Sequence, residues 1–401
     1  MIYILNYFYF IIFLIILIFS YKKLNFKYSV YKYSTIFLIF IYSIIISFRS
    51  PELFPDLSEY IRFYNSIEIF NNHSENYSYF EPGFILISRI IKSIIGSNIQ
   101  IYLAIISLIQ ISILSYGLYI IFKYIFNKEL ELSQNNNAIN YSYKALFYSI
   151  VLYLPYYGLY YNAIVIRQAF SISILLLAIS YYITKKKLLF LLFSSIAITF
   201  HYSSAIIVII LCIIFIYNDL IIKKNKKIKV IKLIIISIIL LFIKDNIMAY
   251  FMKFIENKSI YLIDYRRINY IARIYNEEYT LLAIRNIIVI AKTILLMIIA
   301  SDLLNNKLKN FENKKIIRIL IDIYFIGIFL NIVVGSRSYI QRIYDYFYII
   351  FIIIIPMKMI IIKGKENIKY LIIIIFIVII ENLNSLKYIY YNIKTNLMIF
   401  N

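Results

Sequence analysis

Apolar residues in this chain fall in long unbroken blocks, not at alternating or heptad positions. Ile4–Phe19, Ile101–Phe122 and Leu281–Ala300 are predominantly apolar over a membrane-spanning length, the pattern of a helix surrounded by lipid or protein, not of one that turns a face to water. The polar segments between the blocks reach about thirty-five residues at most, too short for a soluble domain. The pattern predicts an all-α polytopic integral membrane protein.

Charge gives each crossing a direction. Lysines cluster at Lys22, Lys23 and Lys27, at Lys123, Lys128 and Lys144, at Lys185–Lys187, at Lys223–Lys232, at Lys307–Lys315 and at Lys363–Lys369. The positive-inside rule places such short basic segments in the cytoplasm. Threading helices between them gives about twelve transmembrane helices with both termini extracytoplasmic. Residues 1–401 then form a single transmembrane domain. Its outer loops 50–83, 244–279 and 336–344 make up the expected active-site face, with a short outer turn near Tyr160. The thirty residues Leu188–Tyr217 lie between two lysine clusters that both belong inside. An odd number of crossings there breaks the rule, so the stretch reads as a hairpin of Leu188–Phe200 and Tyr202–Tyr217 with His201 at the outer turn. Thirteen helical residues reach only about 20 Å against a hydrocarbon core of about 30 Å, which sinks that turn into a protein-lined pocket.

Composition sharpens the picture. The chain is 63% hydrophobic, with 7 Gly, 5 Pro, 2 His and no Trp. Ile, Asn, Lys, Tyr and Phe dominate, as AT-rich codons favour, so the rarer Arg, Gly, Pro and His carry more information. Of the 42 basic residues 31 are Lys and 11 are Arg. The inner segments hold most of the Lys but only Arg318, whereas Arg49, Arg62, Arg167, Arg266, Arg267, Arg273, Arg285, Arg337 and Arg342 fall on or near the outer face, with Arg89 close by. Positive charge outside opposes insertion, and ammonium is the default cation here. The choice of guanidinium therefore points to an anion on that side, since its planar fork binds phosphate or carboxylate bidentately. The formal net charge of +22 marks the cytoplasmic face and excludes a nucleic-acid partner. Cys212 is the single cysteine, so there is no disulfide framework. The first twenty residues lack a basic n-region and a cleavage site and are expected to be a retained helix.

Four outward polar sites carry candidate chemistry. In "PELFPDLSEYIRFYNSIEIFNNHSENYSYFEPGF", Asp56, Tyr60 and Tyr64 share a helix face at three- and four-residue spacing, with Glu59 and Arg62 close by. Asp56 could equally be a helix N-cap, and Glu81 before Pro82 a plain helix start. The run Phe84–Ile95 after it looks amphipathic and too short to span. In "YYGLYYNAIVIRQAF", Arg167 and Gln168 lie in the outer end of a transmembrane helix, where an ionisable residue is a functional candidate, although Arg167 could snorkel to the headgroups. His201, followed by Tyr202, Ser203 and Ser204, is expected opposite Arg167. The last site comprises "DYRRINYIARIYNEEY" and "GSRSYIQRIYDYF", basic and tyrosine-rich. A phosphate-cradling glycine loop, a zinc-ligand cluster and a nucleophile elbow are all missing from the sequence, so neither metal nor cofactor is expected.

The motifs "DLSEY", "FEPGF", "VIRQAF" and "FHYSSAI", in that order and spacing on a many-helix background, resemble the EpsG family, the Wzy-like polymerases of bacterial surface polysaccharides. The resemblance is carried by Asp56 to Ala205, and more weakly by "RIYDYF" near Arg342. It implies a metal-independent glycosyltransferase at the outer face of the bacterial cytoplasmic membrane. Its donor and acceptor would be undecaprenyl-pyrophosphate-linked glycans, and a flippase and a chain-length regulator would be its partners. On that reading Arg167, Arg337 and Arg342, assisted by Arg266 and Arg267, stabilise the pyrophosphate leaving group. His201, or else Asp56 or Glu81, activates the acceptor hydroxyl, and Tyr60, Arg62 and Gln168 contribute to substrate binding. The rivals are a lipid-linked-oligosaccharide flippase and another outer-face transferase such as an O-antigen ligase. A flippase should carry polar groups through the midplane and internal repeats; this chain gathers its polar groups at one face.

Overall fold

The computed structural model describes residues 27–49, 55–67, 80–131, 137–221, 299, 303, 310–334 and 338–361. Every regular element among them is helical, as apolar blocks in lipid require, because a helix satisfies its own N–H and C=O groups. Four stretches are long and apolar enough to cross a bilayer: Tyr28–Ser47, Ile99–Glu129, Ile166–Ile183 and Ile343–Ile361. This is a multi-pass membrane protein. The expected twelve crossings and the placement of both termini rest largely on residues outside the described set.

The chain forms two compact units. Among the described residues the first contains α1 (Tyr28–Ser47), α2 (Pro55–Ser66), α3 (Pro82–Ile95), α4 (Ile99–Glu131), α5 (Ala138–Tyr153), α6 (Leu159–Ala163), α7 (Ile166–Ile183) and α8 (Lys187–Phe200). The second holds most of α9 (Ser204–Ile221) and α10 (Phe311–Val334) and all of α11 (Ser338–Tyr348); α12 (Phe351–Ile361) is divided between the two. Within the second unit, α10 meets α11 at Gly327, where a Cβ would come within 2.7 Å of the Phe347 Cβ. Residues 338–344, expected as outer loop, are helical.

α7 is the centre of the first unit. It packs against α4 and α8, and α4 in turn against α1 and α5. Almost every α7 side chain is buried, which explains its all-round apolar sequence. Lipid is as apolar as leucine, so close packing and polar bonds between helices hold such a bundle together. Gly117 of α4 provides the close packing, since a Cβ there would lie 3.1 Å from the Leu177 Cα. Ser171 donates to the Ala197 carbonyl at 3.0 Å, joining α7 to α8. Gln110 of α4 donates to the Tyr153 hydroxyl of α5 at 3.1 Å and to Ser173 of α7.

The two ends of this unit differ in charge chemistry. α4 has 33 residues, about 50 Å of helix, and runs past its apolar block to Glu131. Lys123 and Lys128 therefore ride on a helix and not in the loop that charge alone predicts. At that end Lys185 pairs with Glu312 at 2.7 Å, and Tyr124 donates to the same carboxylate at 3.3 Å. Asn313 donates to the Ile125 carbonyl at 3.0 Å and to Glu129 at 2.9 Å. At the opposite end α5 widens into a π-helical turn, Leu154–Gly158, around Pro155, which has no N–H to continue an α-helix. α6 follows, the helix breaks at Ile164 and Val165, and α7 begins. The expected turn near Tyr160 is thus a bent helical connection.

α2 and α3 pack over that second end. α3 is too short to span, as its sequence indicates; it buries Phe84, Ser88 and Ile91 and exposes Leu86, Ile90 and Ile94. Lys92 of α3 donates to the carbonyls of Tyr64, Asn65 and Ile67, each at 2.8 Å, and so caps the C-terminus of α2. Tyr64 stacks on Tyr102 of α4 with centroids 3.8 Å apart and donates to the Gly96 carbonyl at 2.6 Å.

Candidate active site

Glu81 is the N-cap residue of α3, where a carboxylate ordinarily accepts from first-turn amides. It makes no such bond. Oε2 accepts from Arg167 Nη1 at 2.6 Å, and Oε1 lies 3.0 Å from His201 Nδ1. One carboxylate, 5% exposed, thus joins a guanidinium 24% exposed to an imidazole 19% exposed. The three residues come from three separate helix ends.

Local sequence brings those ends together. A Cβ on Gly83 would lie 2.8 Å from the Thr199 carbonyl oxygen and 2.9 Å from the Phe200 ring, and would collide with the Thr199 hydroxyl. Only glycine lets the first turn of α3 rest against the last turn of α8. Phe200 stacks on Phe170 of α7 at 5.1 Å. The next residue, His201, turns to extended backbone (φ −160°, ψ 112°) and ends the helix, while its N–H still donates to Ala197 at 3.2 Å. α9 begins at Ser204, so the break at His201 falls where the sequence places it.

Arg167 is the second residue of α7. A cation at a helix N-terminus opposes the macrodipole, and the Glu81 carboxylate offsets that cost. The guanidinium also lies 4.7 Å from the Phe80 centroid and 6.0 Å from that of Tyr60, within cation–π range. The buried Tyr60 hydroxyl is within hydrogen-bonding reach of Arg167. Tyr60 packs tilted on Phe80 and edge-on to Phe84, and Phe80 stacks on Phe84, with centroids 5.6 to 5.9 Å apart.

Burial alone would raise the Glu81 pKa. The hydrogen bond to His201 and the positive charge of Arg167 outweigh it and hold the carboxyl below its ordinary 4.5. Glu81 is therefore ionised at neutral pH. An ionised carboxylate accepts only, so Nδ1 is the donor in its bond with His201, and the Nε2 of a neutral ring carries the lone pair. Tyr60 is pushed upward, first by burial and then by the Asp56 charge, while Arg167 pulls it down; it remains a neutral phenol. The cluster can take a proton at Nε2 and hold anionic oxygens on a fixed guanidinium.

Among the expected residues, Arg167, His201, Glu81 and Tyr60 come together. His201 does not face Arg167 directly, because Glu81 stands between them. Asp56 lies in the first turn of α2, inside the helix and not at its cap, near enough to Tyr60 to be felt there. Arg62 is not brought in: its side chain is 70% exposed and pairs with Glu59 at 3.2 Å. Gln168 is buried next to Arg167 on α7. Arg342 lies on α11 in the second unit; Arg266, Arg267 and Arg337 lie outside the described residues. Sequence reasoning missed Phe80 as a floor for Arg167 and the bridging role of Glu81. Their shared signal is an aromatic–carboxylate pair directly before Pro-Gly, a start too constrained for an ordinary cap.

Neither the curated proteins nor the solved structures contain a match to this chain. A family model described as the EpsG family matches residues 32–394, a span that includes Glu81, Arg167 and His201 and most of the chain. With that match over the helices that build the cluster, the chain belongs to the EpsG family, a family of Wzy-like polymerases.

Proposed function

We propose that Glu81, Arg167 and His201 form the catalytic centre of a glycosyltransferase that polymerises undecaprenyl-pyrophosphate-linked oligosaccharide repeat units at the outer face of the bacterial cytoplasmic membrane. The observation that carries this reading is the single carboxylate bonded to both guanidinium and imidazole, at the end of the first unit away from Lys128 and Lys185. The positive-inside rule assigns the lysine end to the cytoplasm, so the cluster faces outward.

The acceptor sugar hydroxyl loses its proton to Nε2 of His201 while its oxygen attacks the anomeric carbon of the donor. The bond from that carbon to the pyrophosphate oxygen breaks, and the electron pair leaves with the lipid pyrophosphate. Arg167 stabilises the charge that develops there; its fork carries five N–H donors, more than one carboxylate oxygen engages. Glu81 fixes the imidazole tautomer and stabilises the imidazolium that forms, the part an aspartate plays in hydrolase triads. Asp56 acts through Tyr60, and Gln168 lies beside the donor site. Arg266, Arg267, Arg337 and Arg342 remain candidates for further pyrophosphate contacts, and Arg62 for a contact with the glycan at the surface. A flippase that delivers the units and a chain-length regulator fit as partners of this chemistry.

The test replaces the host gene with His201→Ala, Arg167→Lys or Glu81→Gln and separates the surface glycan by gel, with protein level checked by blot. Polymerisation should fall about 10²- to 10⁴-fold for His201→Ala, the usual worth of a positioned base, leaving single repeat units on the surface. An unchanged ladder from stably expressed variants would sink the catalytic assignment. Lipid-linked units trapped inside, with all surface glycan lost, would indicate a flippase instead.

A further inference from the structure

Arg49 follows α1 directly and is only 4% exposed. Its Nη1 donates to the Ile46 carbonyl at 2.7 Å, an ordinary service to the last turn of a helix. The rest of the fork has no such use. Nε and Nη2 are buried and find no hydrogen-bond partner among the described residues. The titratable groups near Arg49 are three phenols, Tyr42, Tyr60 and Tyr102, and among the described residues no carboxylate. Burial pushes its pKa down to about 10, and the tyrosines offset this only in part.

A guanidinium in this state is expensive. Taking a cation out of water costs several kcal/mol unless an anion and hydrogen bonds replace the hydration, and a buried polar atom left unpaired asks for an explanation. Arg167 shows the compensated alternative, with Glu81 on its Nη1. Tyr60 connects the two cations: Arg167 lies over its ring, and Arg49 acts on the same side chain. The Glu81 carboxylate is already shared by Arg167 and His201. Among the described residues the cluster thus holds one cation with a carboxylate and one, within electrostatic reach of Tyr60, without.

We propose that Arg49 is a second phosphate-binding residue of this site, taking the phosphate of a lipid diphosphate that Arg167 does not hold. The assignment rests on the proposed glycosyltransferase function and deepens it. A monophosphate can engage Arg167 alone, whereas a diphosphate carries two oxygen sets and charge enough for two forks. Arg49 is therefore what makes the site prefer a diphosphate headgroup over a monophosphate one, and so prefer the charged donor to the dephosphorylated carrier. A lysine could supply the charge but not the fork, which accounts for arginine in a chain whose cations are mostly lysine.

The experiment compares wild type, Arg49→Lys and Arg49→Gln, each as the full chain in lipid nanodiscs, for binding of farnesyl pyrophosphate and farnesyl monophosphate. Wild type should bind the pyrophosphate more tightly. Arg49→Lys should weaken pyrophosphate binding about tenfold or more, the worth of a lost charge-assisted bond, and leave monophosphate binding within about twofold. Arg49→Gln should do the same, and serves if the lysine variant fails to fold. Equal losses for both probes, or no loss in a folded variant, would make Arg49 a helix cap and overturn the inference while the glycosyltransferase reading stands. No binding of either probe by wild type would remove both together.

Discussion

Glu81 has one carboxylate and two partners, and that arithmetic makes the three residues behave as a unit. Removing the His201 ring removes what Glu81 orients, and neutralising Glu81 removes what fixes the ring. The effects of Glu81→Gln and His201→Ala on polymerisation should therefore not add. The double variant is expected to be no more than about threefold worse than His201→Ala alone, measured as the rate of ladder formation in membranes supplied with lipid-linked units. Fully additive losses would mean that the two residues act separately. The charge on Glu81 also makes a pH prediction. Its folded pKa lies below the ordinary 4.5, so the ionised form is favoured by folding. The resulting stability is present above pH 4.5 and is lost as pH falls through the lower folded value. Wild type should melt above Glu81→Gln at neutral pH, and the gap should close as the detergent-solubilised proteins are acidified below 4.5.

At the scale of elements, the two short helices over the site are held by single residues. Lys92 donates to three carbonyls at the end of α2, and an apolar chain of equal length has nothing to donate. Lys92→Met should destabilise the protein by about 1–3 kcal/mol and lower the thermal midpoint by several degrees, read by fluorescence of the purified protein; an unchanged midpoint would show that solvent serves those carbonyls equally well. Much at this scale is legible in the sequence. The start of α3 follows from Pro82, the shared face of Asp56, Tyr60 and Tyr64 from their spacing, and the break at His201 from two lysine clusters that the positive-inside rule assigns to one side. What periodicity does not encode is how helices dock. Glu81 meets Arg167 and His201 across 86 and 120 residues, and the close approach at Gly83 that makes this possible is a property of two helices, not one. The same reason hides Phe80, whose partner lies on α7.

At the scale of the whole molecule, sidedness is the property most directly written in the sequence. A lysine-for-arginine bias is visible without any structure, and the first unit separates Lys185 from Arg167 by the 18-residue length of α7, about 27 Å. The helix ends were less legible, since α4 continues through Lys123 and Lys128 on helix-favouring residues whose charge reads as loop. That separation has an electrical consequence. A charge crossing the bilayer works against the membrane potential, at about 2.3 kcal/mol per charge for each 100 mV. Chemistry confined to one end moves none through the field. Polymerisation in proteoliposomes with lipid-linked units already in the outward leaflet should therefore proceed at the same rate, within about twofold, when valinomycin and potassium set the potential to zero or to either sign. A steep voltage dependence would mean that charge travels along the axis from Arg167 to Lys185, and the protein would then be a carrier, not a polymerase working at its outer rim.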